Sequence, residues 1–191
     1  AQVIGLAWDA VHRNAAFITP RSESYMRLQS IFSELWSARG GNLVSQAAFS
    51  GDGNYVDVIK RLMAIDSSEA RRDRLLDLLP RNTLEFTPRR RSDLDFIFLI
   101  ANPRQGRQLK PTLAFYFAGN IPVYSMPSIY DGQENESENR DLDGIIFTVA
   151  PWVLDSSNPL KSEMSASLRQ AQGALQRFRA MGRSEEHTSE L

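Results

Sequence analysis

The sequence predicts an α/β fold built on a single doubly wound, parallel sheet of five strands. Short apolar segments alternate along the chain with longer segments in which apolar residues recur at helical spacing. The segment 96–101 reads FIFLIA and is apolar without alternation, as in a parallel strand covered by helices on both faces. Strands that alternate with helices run parallel through right-handed crossovers, so we expect the strand order 2-1-3-4-5.

Five apolar segments are predicted to be strands. They are residues 15–19, 42–49, 96–101, 122–126 and 144–149. Pro20 closes the first of them, and Gly51 and Gly53 form a turn after the second. Each segment is short, which favours a strand over a buried helix.

Helical periodicity fills the segments between these strands. The predicted helices cover about residues 2–13, 22–39, 54–65, 67–79, 103–119 and 159–180. Ser22 or Ser24 caps the second helix, and Gly40-Gly41 ends it. We expect one face of this helix to be buried, the face formed by Met26, Leu28, Ile31, Phe32, Leu35 and Trp36. In the fifth helix, Pro111 is expected to begin or bend the main part.

The arrangement amounts to one lobe, because the last helix follows the fifth strand with no sheet left to cover. We assign residues 1–157 to a Rossmann-like lobe and residues 158–182 to a helix that returns toward a second lobe missing from this chain. The chain starts without an initiator Met or a signal peptide. Residues 183–191 read RSEEHTSEL, the translation of a common sequencing adapter, so we expect this tail to be an artefact.

Composition argues against several classes of function. A chain of 191 residues with 42% hydrophobic and 24% charged residues can bury a core, and its formal charge of −1 does not indicate a nucleic-acid binder. The absence of cysteine excludes disulfides, zinc–thiolate sites and cysteine catalysis. No apolar run approaches the roughly 20 residues that a membrane-spanning helix needs.

The motifs of common enzyme classes are missing from the sequence. No G-x-G-x-x-G or Walker loop follows a strand, and no G-x-S-x-G motif is present. With the tail set aside, His12 is the only histidine, which is too few for a histidine-based metal site. We therefore expect neither an enzyme nor a cofactor, and we interpret His12 as a surface or capping residue.

Candidate cleft residues lie in the loops that follow the first, third and fourth strands. Open α/β sheets bind ligands at the carboxyl ends of their strands. In this chain those loops carry Arg21, Arg104, Gln105 and Tyr130. Of these loop residues, Arg21, Arg104 and Gln105, together with Ser22, could hold an anion at a helix N-terminus, although solvated loop residues of the same types are more common.

The sharpest charge feature is the run Arg89-Arg90-Arg91. One interpretation is a basic patch that docks a protein partner or an anionic glycan. The other is a solvated loop whose arginines pair with Asp93 and Asp95, each pair adding little stability. The acidic segment 131–143 is expected to stay solvated.

A run of three aromatic residues, Phe115, Tyr116 and Phe117, stands near the end of the fifth helix. A helix cannot bury three consecutive side chains on one face, so one of them could cover a second lobe. Trp152 could lie at the junction of the two lobes. Core packing is the more common role for such residues.

Three segments resemble the LpoA family of penicillin-binding protein activator lipoproteins, and specifically its C-terminal domain. They are residues 89–101, 103–111 and 115–122, within a collinear similarity that covers residues 1–182. The resemblance implies a domain like a type I periplasmic solute-binding protein, of which this chain would hold one lobe. It offers no catalytic residue to transfer.

The resemblance also implies a function. Its members are non-enzymatic regulators that bind a class A penicillin-binding protein, a bifunctional peptidoglycan synthase, and stimulate its transpeptidase activity. They are outer-membrane lipoproteins that face the periplasm, and we expect this chain to lack their lipid-bearing cysteine and helical-repeat domain. The alternative is a solute-binding lobe that holds a small polar ligand with Arg21, Arg104 and Tyr130.

Overall fold

The computed structural model describes residues 2–51, 55–78, 85–131 and 136–149. Its strands are β1 (Asn14–Pro20), β2 (Asn42–Phe49), β3 (Phe96–Leu99), β4 (Val123–Ser125) and β5 (Ile145–Phe147). They form one sheet in the order β2-β1-β3-β4-β5, and every neighbouring pair is parallel. The predicted α/β fold, its five-stranded parallel sheet and its strand order are therefore confirmed.

Helices connect the strands on both faces of the sheet. They are α1 (Gln2–Asp9), α2 (Glu23–Ala38), α3 (Tyr55–Leu62), α4 (Ile65–Leu78), α5 (Pro103–Leu113) and α6 (Glu136–Asn139). A π-helical turn (Ala114–Ala118) and two 3-10 turns (Pro127–Ile129 and Arg140–Leu142) complete the regular structure. Within the described ranges, none of the helices combines the length and the apolar character needed to cross a bilayer.

The two central strands, β1 and β3, are buried as the sequence predicts. The five middle residues of β1 and all four residues of β3 are inaccessible to solvent. Because successive side chains of a strand point to opposite faces, both faces of these strands must be covered. β3 is shorter than the predicted segment 96–101, since its pairing with β4 ends at Leu99.

One core layer lies between the sheet and helices α3, α4 and α5. These helices contribute the buried side chains of Tyr55, Val58, Ile59, Leu62, Ile65, Leu109 and Leu113. Burial of each large apolar side chain stabilises the fold by about 1.5–3 kcal/mol. This layer therefore supplies much of the hydrophobic stabilisation.

The second core layer lies between the sheet and helices α1 and α2, and it is rich in aromatic side chains. The Trp36 ring packs edge-on against Phe96 with 5.1 Å between the ring centroids. Its Nε1 donates a hydrogen bond of 3.0 Å to the carbonyl of Arg13. A Cβ atom at Gly41 would lie 2.2 Å from that nitrogen, so only glycine at this position leaves room for the Trp36 ring.

The predicted buried face of α2 is wrong for half of its residues. Phe32 and Trp36 are buried, but Met26, Ile31 and Leu35 are 56%, 50% and 46% exposed. The helix borders an open apolar groove of about 410 Å³ between α1, α2 and the sheet. No element of the described ranges packs over these three side chains, which is why their periodicity does not lead to burial.

Left-handed backbone conformations end some helices earlier than predicted. α1 stops at Asp9, short of residue 13, and Val11 has a φ of 64°. α5 includes Pro111, which removes a helical hydrogen-bond donor, and ends at Leu113 well before residue 119. The chain continues through the π-helical turn, where Phe117 has a φ of 63°.

Several predictions concern residues outside the described ranges. These are Trp152, the helix at 158–182 and the tail 183–191, together with the end of the predicted lobe 1–157 beyond residue 149. Residues 2–130 and 136–148, wherever the structure describes them, belong to one compact unit.

Candidate functional site

The carboxyl edge of the sheet, where the strands end, carries the predicted cleft residues. Three loops meet this edge, after β1, β3 and β4. Arg21 and Ser22 follow β1, the α5 N-terminus follows β3, and the 3-10 turn Pro127–Ile129 follows β4. The candidate residues therefore lie at the carboxyl edge of the sheet, and their role in a cleft stays a prediction.

Gln105 has a structural partner at this edge. The side chain of Asn102, the N-cap of α5, accepts a hydrogen bond of 2.9 Å from the backbone N–H of Gln105. In return, the Gln105 side-chain oxygen accepts a bond of 3.1 Å from the backbone N–H of Asn102. This reciprocal capping box satisfies two helix-terminal donors, so Gln105 is already engaged in holding the start of α5.

The buried hydroxyl groups at the carboxyl edge are also satisfied within the protein. Ser125 Oγ donates to the carbonyl of Leu99 at 2.7 Å, and Ser128 Oγ donates to the carbonyl of Ala101 at 3.0 Å. Both bonds tie β4 and its following turn to the end of β3. A hydroxyl in an otherwise apolar strand must find such an acceptor when it is buried, which is the sequence signal that would have identified Ser125.

The remaining cleft candidates differ in their surroundings. Arg21 is exposed and its backbone N–H donates to the carbonyl of Phe49 at 2.6 Å. Arg104 is exposed on the first turn of α5. Tyr130 is half-buried against the ring of Phe147, with the centroids 5.8 Å apart. Of the four candidates, Arg21 and Arg104 thus present exposed guanidinium groups.

The acidic segment 131–143 packs on α5 through an arginine that the sequence analysis did not single out. Arg107 Nε donates to the carbonyl of Glu138 at 3.0 Å, and its Nη2 lies 3.3 Å from a Glu138 carboxylate oxygen. The same nitrogen donates to the side-chain oxygen of Asn139 at 3.2 Å. Glu138, Asp141 and Asp143 are exposed to solvent, as predicted for this segment, while Arg107 ties α6 to α5.

The run Arg89-Arg90-Arg91 lies near the opposite edge, where the strands begin. Arg91 forms a two-pronged ion pair with Asp93, with N–O distances of 2.7 and 2.8 Å. This hydrogen bond lowers the pKa of the Asp93 carboxyl group. Arg90 donates to two neutral acceptors, the carbonyl of Arg91 at 2.9 Å and the side-chain oxygen of Asn120 at 3.4 Å.

Asp95 pairs with no arginine side chain in the described ranges, contrary to one interpretation of the sequence. Its Oδ2 accepts bonds of 2.8 Å from the backbone N–H groups of Arg13 and Asn14. These two donors lead into β1, and an unpaired donor at a partly buried strand start would be costly. Asp95 directly precedes the buried strand β3, and that position is the signal for its structural role.

Two lysines of the lobe, Lys60 and Lys110, have different surroundings. Lys60 Nζ lies 2.6 Å from the Glu69 carboxylate, and this hydrogen bond raises the pKa of Lys60. Lys110 is half-buried on α5, and its burial lowers the pKa of its ammonium group. No carboxylate of the described residues lies within ion-pair distance of Lys110.

His12 lies at the same edge and packs between aromatic rings. Its ring centroid lies 5.6 Å from that of Phe96 and 5.9 Å from that of Tyr124. In the described part of the chain, no group of three histidine, aspartate or glutamate residues is arranged to hold a metal ion. The sequence-based interpretation of His12 as a surface residue is too simple, because its ring packs on the core.

Comparison with known proteins agrees with this geometry. The family model described as "LppC putative lipoprotein" matches residues 1–185. A curated relative, "Penicillin-binding protein activator LpoA" of Vibrio antiquarius, is 23% identical over 168 residues, which are 86% of this chain and 27% of the relative. The chain thus spans about a quarter of the length of that relative.

Two solved structures share the fold at low sequence identity. The LpoA (YraM) C-domain from Haemophilus influenzae, described as a regulator of PBP1A, matches with a TM-score of 0.61 and 14% identity over 93% of this chain and 46% of that chain. A solute binding protein of an ABC transporter from Rhodopseudomonas palustris, in complex with 3,4-dihydroxybenzoic acid, matches with a TM-score of 0.58 and 14% identity over 95% and 45% of the two chains. The lobe is therefore of the periplasmic-binding-protein type, as predicted.

Proposed function

The chain belongs to the LppC lipoprotein family, and from this premise we propose that the protein regulates peptidoglycan synthesis without catalysing a reaction itself. It binds a class A penicillin-binding protein and stimulates the transpeptidase activity of that synthase. It acts in the periplasm, anchored to the outer membrane by a lipid. The curated relatives named as penicillin-binding protein activators support this role.

The choice of function rests on one observation. The polar groups at the carboxyl edge already form hydrogen bonds within the protein. A solute-binding lobe needs several fixed polar groups that converge on its ligand. Here the Asn102–Gln105 capping box and the hydroxyls of Ser125 and Ser128 already have partners within the protein. A ligand would have to break these bonds, each worth about 0.5–1.5 kcal/mol, before it could use the same atoms. The edge is therefore better suited to maintaining the lobe than to capturing a solute.

The placement of residues also favours binding over catalysis. Ser125 donates its hydroxyl proton to a backbone carbonyl at the carboxyl edge. His12 packs on the rings of Phe96 and Tyr124. Tyr124 and Ser125 are successive residues of β4, so His12 and the Ser125 hydroxyl lie on opposite faces of the sheet. A nucleophile and its general base must be within hydrogen-bond reach of each other, and the sheet separates these two groups.

A binding and activity experiment tests the proposed function. The chain is immobilised and titrated with the purified class A penicillin-binding protein of the same organism, and peptide cross-linking by the synthase is measured with and without the chain. We expect saturable binding and faster cross-linking. A solute-binding protein of similar fold is the control and should do neither. Absence of association in this assay would contradict the proposal.

A ligand screen tests the solute-binding alternative separately. Thermal unfolding of the chain is followed with amino acids, sugars and soluble muropeptides. A ligand that binds only the folded state raises the midpoint temperature of unfolding, and the rise levels off as the ligand concentration saturates the site. We expect no such shift. A shift that disappears in Arg21→Ala or Arg104→Ala would instead favour a small-molecule site at the carboxyl edge.

A further inference from the structure

The π-helical turn after α5 exposes two large aromatic side chains on a strained backbone. Phe115 is 75% exposed and Phe117 is 48% exposed. Phe117 has a φ of 63°, a strained left-handed conformation that non-glycine residues rarely adopt. Both the exposure and the strain oppose stability, so the turn is not explained by folding of the lobe alone.

The turn is nevertheless firmly attached to the core. Leu113 before it and Ala118 at its end are completely buried. The backbone N–H of Ile121 donates to the carbonyl of Ala118 at 3.1 Å. The Phe115 ring packs edge-on against Tyr116 with the centroids 5.0 Å apart. The exposed rings are thus held in place before any partner arrives, which lowers the entropic cost of binding.

Two segments that carry cations adjoin the π-helical turn. The hydrogen bond from Arg90 to Asn120 places the arginine run beside the residues that follow the turn. Lys110 lies one helical turn before the π-helical turn. In the part of the chain that the structure describes, Arg89, Arg90 and Lys110 have no carboxylate partner.

Three arginines elsewhere in the lobe are neutralised by neighbouring carboxylates. Arg27 pairs with Glu23, Arg72 with Asp73, and Arg91 with Asp93. The positive charge that remains beside the turn therefore comes from Arg89, Arg90 and Lys110. A partner with carboxylates at matching positions would complement it.

We propose that Arg89, Arg90, Lys110, Phe115 and Phe117 form a docking surface for an acidic segment of a partner protein, one that presents an apolar side chain between carboxylates. The proposal rests on the function proposed above and deepens it, because it assigns the contact with the synthase to this aromatic–arginine surface. The sequence contained both parts, the arginine run and the aromatic run, but only the fold brings them together.

The chemistry of the surface favours a protein over a glycan or a lipid bilayer. Aromatic residues and arginine are enriched where protein interfaces concentrate their binding energy. The planar guanidinium fork matches a carboxylate, with two parallel hydrogen bonds. Phe115 and Phe117 lack a hydroxyl that could bond to sugar hydroxyls. Their fixed backbone suits a shaped protein pocket, whereas insertion into a bilayer would not require a strained turn.

Charge reversal and ring removal on the full chain test this surface. We expect the variants Arg89→Glu/Arg90→Glu and Phe115→Ser to weaken binding to the purified synthase by about 10- to 100-fold each, the range typical of central interface residues. Phe117→Gly removes the second ring while it relieves the left-handed strain, so loss of binding by this variant cannot be attributed to unfolding. Each variant is first checked for an unfolding midpoint no lower than that of the wild type.

Matched controls come from other parts of the lobe. Arg21→Glu reverses a charge at the carboxyl edge, and Met26→Ser removes an exposed apolar side chain from α2. Both controls should bind the synthase as the wild type does. If they lose binding as strongly as the test variants, the assignment to the aromatic–arginine surface is overturned.

The outcomes separate failure of the surface from failure of the function. If the wild-type chain does not bind the synthase, both proposals fail. If the wild type binds and the test variants bind equally well, only the docking surface is wrong. If the variants keep synthase binding but lose sedimentation with phosphatidylethanolamine–phosphatidylglycerol vesicles or with purified sacculi, the surface serves a lipid or a glycan and the proposal is overturned.

Discussion

The two edges of the sheet use their polar residues in opposite ways. At the carboxyl edge, Asn102, Gln105, Ser125 and Ser128 bond to one another or to backbone carbonyls within the lobe. At the amino edge, Asp95 secures the strand starts, whereas Arg89, Arg90 and Lys110 remain without carboxylate partners among the described residues.

If the proposed docking surface is right, binding occurs away from the edge that this fold class commonly uses. Open α/β sheets commonly bind ligands at the carboxyl ends of their strands. This lobe consumes the polar groups there for its own cohesion. Cations without a carboxylate partner among the described residues remain at both edges, Arg21 at this edge and Arg89 and Arg90 at the other, where the chain also exposes Phe115 and Phe117.

The largest effect on stability is expected at the amino edge, from Gly41→Ala. The added Cβ would lie 2.2 Å from Trp36 Nε1 and displace the ring from Arg13 and Phe96. We expect the free energy of unfolding to fall by about 3 kcal/mol, as for severe overpacking. Urea denaturation of the wild type and the variant measures this difference in the free energy of unfolding.

Gly5→Ala is the matched control for this substitution. A Cβ at Gly5 meets no atom within 4 Å, and the residue lies inside α1. Alanine there should stabilise the chain by up to about 1 kcal/mol through helix propensity. Equal destabilisation by both variants would show that the contact with Trp36 is not the cause.

Asp95→Ala tests whether Asp95 at the amino edge stabilises the fold without contributing to the docking surface. It removes the acceptor of two backbone N–H groups, at Arg13 and Asn14. We expect a loss of about 2 kcal/mol in the free energy of unfolding, and a smaller loss for Asp95→Asn, which keeps one acceptor oxygen. Synthase affinity of the folded fraction should not change. A selective loss of affinity without loss of stability would assign Asp95 to the interface.

Asn102→Ala tests whether the carboxyl edge also stabilises the fold without taking part in binding. Loss of the N-cap of α5 should lower the free energy of unfolding by about 1 kcal/mol. Binding of the synthase should stay at the wild-type value. If thermal unfolding is unchanged while binding of the synthase or of a small ligand is lost, the carboxyl edge is a binding site and the comparison between the edges is wrong.

The smallest effect concerns the pH dependence of the Arg91–Asp93 pair. Arg91 lowers the folded-state pKa of Asp93. The pair therefore contributes its full share of the free energy of unfolding at pH values above the unfolded-state pKa of aspartate, which is about 4. That contribution is lost as the pH falls through the lower folded-state pKa. Because the Asp93 side chain is 54% exposed, we expect only about 0.5 kcal/mol.

Comparison with Asp93→Asn over a pH series isolates this contribution. The difference in unfolding free energy between wild type and variant should be constant near neutral pH and disappear in strong acid. A difference that persists at the lowest pH would indicate that Asp93 acts through packing or backbone conformation and not through its charge.

Sequence periodicity predicted burial well where helices and strands face a covered layer. The segment 96–101 is buried as expected, and so are Phe32 and Trp36 of α2. It failed for Met26 and Ile31, because a helical pattern records which side chains share a face but not whether another element covers that face. The same limit applies to Phe115, which continues the helical pattern into the π-helical turn and is 75% exposed there.

The α/β class, the parallel strands and their order followed from the sequence by itself, because they depend on local apolar patterns and on the handedness of crossover connections. Only the tertiary structure decided the partners of the polar side chains. Asp95 bonds to Arg13 across 82 residues of sequence, and Arg90 reaches Asn120 across 30. A hydrogen bond requires its two atoms to meet within about 3 Å, and a one-dimensional pattern cannot specify such a distance between residues far apart in the chain.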